Sequence, residues 1–191
     1  MTVHQAGFAI RDASVSDAPA LLVFLDQLAH EKDIDIPLAP GEVKMTVEQE
    51  EAWVRDHVER DNSLLKLAIV AASSEHDGGE LIGVLNITGR TQTALHHTAV
   101  LGLSVRRDWR GRGVGNALLA AATAEVAAVG VLKRVELRVY TTNLPALHLY
   151  EKYGFQREGC ARRAVFQRGR YYDDYVMGWL VSGGDDMEAR S

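Results

Sequence analysis

The sequence predicts an α+β fold, a mostly antiparallel mixed sheet with flanking helices and a single parallel crossover. Two observations carry this. Three strand-like runs follow one another between residues 64 and 105 with only turns between them, and the alanine-rich helix pattern after them separates two strands, as a parallel pair requires. The length of 191 residues fits one domain with a real core. We expect that domain over residues 1–182 and a frayed polar tail, "GGDDMEARS", over 183–191.

The elements follow in order. "FAIRDAS" reads as the first strand, and Ser14 or Ser16 offers a cap for a helix in which Leu21, Leu22, Leu25 and Leu28 recur at helical spacing. "DIDIPLAPG" ends it, and Thr46 with Gln49 forms a capping-box pattern that opens "VEQEEAWVRDHVERD". "LLKLAIVAAS" and "LIGVLNITGR" flank Asp77-Gly78-Gly79 as a hairpin, and "HHTAVLGLSV" continues the meander. "VGNALLAAATAEVAAVG" is a strong helix ending at Gly130, and "KRVELRVY" is the strand after it. "NLPALHLYEKYG" reads as a short helix, with Pro145 in its first turn and Gly154 past its end. "FQREGCARRAVFQRGRYYDDYVMGWL" reads as two strands turning near Arg168-Gly169.

Composition narrows the function. Acidic residues outnumber basic ones, 26 to 21, for a net charge of -5, which argues against a nucleic-acid surface. A single cysteine, Cys160, excludes an internal disulfide framework and a multi-cysteine zinc site, and fits the cytoplasm. The N-terminus has no apolar core of a signal peptide and no run reaches the length of a membrane span, so neither export nor membrane insertion is expected. No cluster of His, Cys or carboxylates shows ligand spacing, so no metal is expected.

Against this acidic background "VRRDWRGRGVG", residues 105–115, concentrates four arginines and three glycines where a strand gives way to a helix. Unpaired amides and the helix dipole at such a junction favour an anion. Gly111, Gly113 and Gly115 allow the torsions that aim amides at one point, and Arg110 and Arg112 add forked cations suited to phosphate oxygens. A P-loop is excluded, because Gly115 is followed by Asn116 and Ala117 where Lys and Ser or Thr are required. The dinucleotide fingerprint fails too, since "RRDW" separates the strand from the glycines.

This stretch resembles the core motif of the GNAT acyltransferases: Arg110-Gly111-Arg112-Gly113-Val114-Gly115, preceded by "VLGLSV" and followed by "ALL". A second family motif is present as "VYTTNLPALHLYEKYGF", with Asn143, Ala146, Leu149, Tyr150, Gly154 and Phe155 in place. The resemblance covers roughly residues 80–180 and implies acetyl-coenzyme A as cosubstrate. Residues 110–115 with Asn116 would hold its pyrophosphate. Its pantetheine arm would run as a pseudo-strand beside Leu103, Ser104 and Val105, where a bulge splays two neighbouring strands in family members. Asn143 would steady the arm or the helix start. Tyr150 stands at the general-acid position, and a phenol with a pKa near 10 can protonate a leaving thiolate at neutral pH. A backbone N–H near Leu103 would meet the thioester carbonyl.

Many relatives carry a glutamate base in a run resembling "HTAELG", where this chain has Val100 in "HTAVLG". His96, His97, Glu31, Asp35 or a water relay are the replacements. The C-terminal run is similar to that of relatives that acetylate free amino acids or small amines, and Arg162, Arg163, Arg168 or Arg170 could pair with a substrate carboxylate. An acceptor peptide or polyamine, attracted by the acidic loop "HEKDIDIP", and a non-catalytic acyl-coenzyme A sensor remain the alternatives. Relatives are often homodimers.

Overall fold

The computed structural model describes residues 3–5, 7–32, 36–70 and 79–181. Among these, eight strands form one sheet in the order β1-β2-β3-β4-β5-β6-β8-β7. They are β1 (Val3–Gln5), β2 (Phe8–Asp12), β3 (Leu64–Val70), β4 (Glu80–Gly89), β5 (Thr98–Val105), β6 (Arg134–Tyr140), β7 (Gln156–Gln167) and β8 (Arg170–Leu180). The helices are α1 (Ala18–Ala29), α2 (Val47–Glu59), α3 (Val114–Val129) and α4 (Leu144–Lys152). Every neighbouring pair is antiparallel except β5–β6. The predicted mixed sheet with one crossover is therefore present.

Local chemistry sets the boundaries. Ser14 and Asp17 close a capping box on a short 3-10 turn that leads into α1, so the serine cap acts one turn earlier than the helix proper. Thr46 caps α2, its side chain accepting from the Gln49 amide at 3.3 Å while the Gln49 side chain takes the Thr46 amide at 2.9 Å. Gly130 ends α3 in a left-handed turn, φ 74°. Asn143 caps α4 by accepting from the Ala146 amide at 3.1 Å, and Gly154 follows at φ 87°. The β7–β8 turn has Arg168 and Gly169 both at positive φ, the pattern of a tight hairpin. Of the β3–β4 turn only Gly79 is among the described residues, and the tail from 183 lies outside them.

The sheet separates two apolar clusters. On one face α3 and α4 pack through Leu118, Leu119, Val126, Leu147 and Tyr150 against Ile82, Leu101, Leu137 and Met177. On the other, α1 and α2 bring Leu21, Phe24, Leu28 and Val54 onto Leu65 and Leu67. Strand alternation puts Ala99, Leu101, Leu103 and Val105 toward α3, and Val100, Gly102 and Ser104 toward the opposite face. There α1 and α2 cover the β2–β4 half, while Val100 is 37% exposed.

Three features differ from the sequence reading. β1 forms a hairpin with β2 through Val3↔Ile10, too short a run for periodicity to reveal. β8 inserts between β6 and β7, so the last hairpin enters the sheet by its second strand. His96 and His97 precede β5 instead of lying in it.

Candidate active site

The two edges of β5 are unequal. Toward β4 it pairs from Gly83↔Val105 to Gly89↔Ala99 without a register shift. Toward β6 it pairs only at Thr98↔Arg134, Ala99↔Val135 and Val100↔Glu136. From Leu101 to Val105 the edge facing β6 has no strand partner among the described residues, and neither has the facing edge of Leu137–Tyr140. The splay expected at Leu103, Ser104 and Val105 is there. The register shift nearby, however, falls between Ala68 and Ile69 in the β3–β4 pairing, so no bulge in β5 accompanies it.

The arginine-glycine loop lies at the open end of this gap. Gly111 (φ 71°) and Gly113 (φ 86°) adopt left-handed torsions, and a Cβ on either would meet nothing within 4 Å among the described residues. The loop thus leaves open space over the helix end. The intrahelical ladder of α3 begins with the Ala117 amide on the Gly113 carbonyl at 2.9 Å, leaving the amides before it directed out of the helix N-terminus. Amides so directed suit an anion. Val114 is buried and anchors the first turn. Gly115 fits where a Cβ would come within 3.3 Å of Leu149 and 3.8 Å of Leu103 and Val105, so its missing side chain keeps α3 close to β5 and α4.

The polar side chains divide by task. The Arg112 guanidinium lies 5.2 Å over the Trp109 ring, at an exposed position beside the cradle. Arg110 turns toward Glu31, pairing with its carboxylate, and donates through Nε to the Val105 carbonyl at 2.9 Å. The Arg107 amide donates to the other Glu31 oxygen at 2.8 Å, and Arg168 donates to the Glu31 carbonyl at 2.9 Å. Glu31 therefore clasps the glycine loop to the β7–β8 hairpin, an engagement that leaves its carboxylate poorly suited to act as a base. Asn116 accepts from Lys152 Nζ at 2.6 Å and from the Tyr153 hydroxyl at 3.1 Å, tying α3 to α4.

Tyr150 extends from α4 into the core on the α3 side, 6% exposed, its ring 5.8 Å from that of Phe155. Burial pushes its phenol well above the ordinary range, so it holds its proton throughout physiological pH. His96 is held by Asn62 and Asp61 and, like His97, lies before the first residue of β5, at the end of the strand remote from the glycine loop. Asp35 lies outside the described residues.

Two groups on the opposite face escaped the sequence reading. Asp174, opposite Tyr140 on β6, is 5% exposed and its Oδ1 has no hydrogen-bond partner among the described residues. Burial raises its pKa, Arg138 opposes that shift, and Asp173 adds to it. Tyr140 and Tyr172 stack beside it at 4.9 Å, and Gln167 holds the carbonyls of Ile36 and Leu38 at 3.0 and 3.1 Å over the hairpin. The second is His57 of α2, 1% exposed. A buried acid in a strand and a histidine in a helix carry no periodic signal.

The sequence pattern of the acetyltransferase (GNAT) family matches residues 34–155. The chain belongs to this family. Over 99 residues the chain is 33% identical to the L-amino acid N-acetyltransferase AaaT of Escherichia coli, covering 52% of this chain and 61% of that protein. It is 25% identical over 126 residues to YokL, an uncharacterized SPbeta prophage-derived N-acetyltransferase of Bacillus subtilis, covering 66% of each. The match thus spans under two thirds of either relative's length. Among solved structures, a GNAT-family acetyltransferase from Streptococcus pneumoniae superposes with a TM-score of 0.83 at 30% identity, covering 91% of this chain and 99% of that one. The fold is also that of yncA from Salmonella typhimurium, solved with acetyl-CoA: TM-score 0.75, 16% identity, 96% and 99% covered.

No helix among the described residues is long and apolar enough to cross a membrane. Nor, among them, are three or more His, Cys, Asp or Glu side chains grouped to hold a metal ion.

Proposed function

We propose that this acetyltransferase transfers the acetyl group of acetyl-coenzyme A to the amine of a free amino acid or a similar small molecule. The observation that carries the reading is the gap between β5 and β6, closed at Val100–Glu136 and open toward the glycine loop. The residues present fit the cosubstrate. The amides of residues 111–116 and the Arg112 guanidinium suit a pyrophosphate, with Arg110 bracing the loop through Glu31 and Val105. The free edge of Leu103, Ser104 and Val105 suits an amide-bearing arm that adds as a strand. Asn143 and Asn116 fix the starts of α4 and α3 on either side.

The amine nitrogen attacks the thioester carbonyl, the C–N bond forms, and the C–S bond breaks with its electron pair leaving on sulfur. Tyr150 gives its phenolic proton to that thiolate. Its elevated pKa keeps the proton in place until the thiolate appears beside it.

Similarity to an L-amino acid N-acetyltransferase supports the acceptor class. Asp174 supports it as well, because a buried carboxylate oxygen without a partner among the described residues, on the side away from α3, suits an acceptor bearing positive charge. Arg162, Arg163, Arg168 and Arg170 on the adjoining hairpin supply the opposite sign for an acceptor carboxylate. We read residues 1–182 as one catalytic domain of a cytoplasmic enzyme. A homodimer through the β7–β8 edge is favoured by Phe166 and Tyr171, 64% and 59% exposed.

Thiol release from acetyl-coenzyme A across amino acids, polyamines and short peptides tests the reading, with Tyr150→Phe as control. Turnover with amino acids that the variant loses is expected. Thermal stabilisation by acetyl-coenzyme A with no turnover of any acceptor would establish the sensor reading, which Val100 in the usual glutamate position favours.

A further inference from the structure

Val100 puts no carboxylate on β5 at the closed end of the gap, and Glu136 across from it is engaged by Arg90 at 2.6 Å and Arg134 at 3.6 Å, yet a proton acceptor lies one strand away. Val100 faces Thr88 directly in the β4–β5 register. Thr88 Oγ1 lies 2.7 Å from His57 Nε2, and His57 Nδ1 lies 2.8 Å from the Trp53 carbonyl.

The directions of these bonds are fixed by elimination. A carbonyl only accepts, so Nδ1 carries the proton and donates to Trp53. In the neutral ring Nε2 is then a bare lone pair, and the Thr88 hydroxyl must donate to it. Asn86 Nδ2 donates to the same hydroxyl oxygen at 3.0 Å. Gly102, opposite Asn86, makes room for this, since a Cβ there would fall 2.5 Å from Asn86 Oδ1. A hydroxyl oxygen has two acceptor positions, and among the described residues only Asn86 donates to one of them. The vacant one belongs to the half-buried Thr88, at the border between the part of the face covered by α2 and the exposed Val100.

We infer that Thr88 and His57 form the proton-accepting relay for the acceptor amine, taking the place of the absent glutamate. The inference rests on the acyl-transfer reading above. The depth of the gap agrees with it, for Val105 to Val100 spans five residues, about 17 Å of strand, on the order of an extended pantetheine arm reaching from the loop to the closed end. As the C–N bond forms, an N–H proton of the amine passes to Thr88 Oγ1 while the hydroxyl's own proton passes to His57 Nε2. Asn86 supports the partial negative charge on that oxygen. The proton on His57 returns through solvent to the Tyr150 phenolate, restoring both groups.

His57 is suited to the task because burial lowers its pKa, a shift that its bond to Trp53 and the charge of Asp56 oppose and that Arg60 reinforces. The other charged groups around it are Glu50, buried two turns earlier on α2, and the Arg90–Glu136 pair, joined at 2.6 Å, beyond the β4 end. α1 presents apolar Leu21, Phe24 and Leu28 to this side.

The test compares Thr88→Val, Thr88→Ser and His57→Gln in the full chain, first confirmed by melting temperature and acetyl-coenzyme A affinity to be folded and loaded. Thr88→Val should lower kcat about 100-fold, the scale of a general base, with KM for acetyl-coenzyme A unchanged. Thr88→Ser should stay within a few-fold of the parent. The acidic limb of the parent's kcat profile should lie below the ordinary imidazole range, keep its place when acceptors of different amine basicity are compared, and vanish in His57→Gln. Parent-like kcat and pH profile in Thr88→Val, or equal losses in the valine and serine variants, would overturn the relay while leaving the acyl-transfer reading intact. Absence of turnover in the parent defeats that reading instead. Imidazole nitrogen NMR then still decides the arrangement, because a protonated His57 Nε2 at pH 7 is incompatible with it.

Discussion

The two edges of β5 carry the same residues and different fates. Toward β4 the strand is paired from Ala99 to Val105, whereas toward β6 pairing stops at Val100. The difference teaches that the site is made by leaving out sheet hydrogen bonds, and that the surrounding packing must hold two strands apart. Gly115 lets α3 approach, Asn116 links α3 to α4, and Leu147 and Tyr150 anchor α4 in the core beneath the gap.

Changes that spare the paired edge and alter the open one should therefore remove function at little cost in stability. The largest effect is expected from Tyr150→Phe, which keeps the ring against Phe155 and removes the proton. Its kcat should fall by about 10²- to 10⁴-fold with the melting temperature nearly unchanged, as thiol release and calorimetry would show. Next comes Gly113→Asp. It forces a side chain into a left-handed position at about 1–2 kcal/mol and adds a negative charge where a pyrophosphate would bind, so calorimetric affinity for acetyl-coenzyme A should weaken at least about tenfold. Unchanged affinity would move the nucleotide site elsewhere.

Asp174→Asn probes the far side of the same gap. The mutant keeps the shape and loses a buried charge, so the acceptor KM should rise several-fold while the fold gains slightly in stability. The sign follows from the raised folded pKa: the native carboxyl holds its proton better than the unfolded one, so the parent loses stability as pH rises from the ordinary aspartate range through the folded pKa. The variant should lack that loss. The smallest effect is Arg112→Ala, which forfeits the Trp109 contact, about 0.5–1 kcal/mol, together with one cation near the loop. A two- to five-fold loss of cosubstrate affinity is expected, diminishing with added salt.

The legibility of the molecule followed the same division. Elements punctuated by local chemistry were readable: Thr46 and Gln49 opening α2, Gly130 closing α3, Asn143 capping α4, and Arg168-Gly169 turning the last hairpin. The glycine loop was readable because positive φ and helix-end amides are local properties. What is decided by distant pairing was not. No residue announces that β8 will lie beside β6, or that β1 folds back on β2. Arg110 illustrates the limit within the site, since its composition suggests a phosphate ligand and its partner Glu31 lies 79 positions away. His57 was hidden for the same reason: its meaning comes from Thr88, 31 residues further on, and from Val100 across the ladder.

The three-rung parallel ladder also acts as a ruler. Each additional rung between β5 and β6 would raise the floor of the gap by about 3.3 Å, while the loop at its mouth stays where α3 begins. If the arm lies in the gap as proposed, the length it can have is encoded as a count of paired residues and in no single side chain.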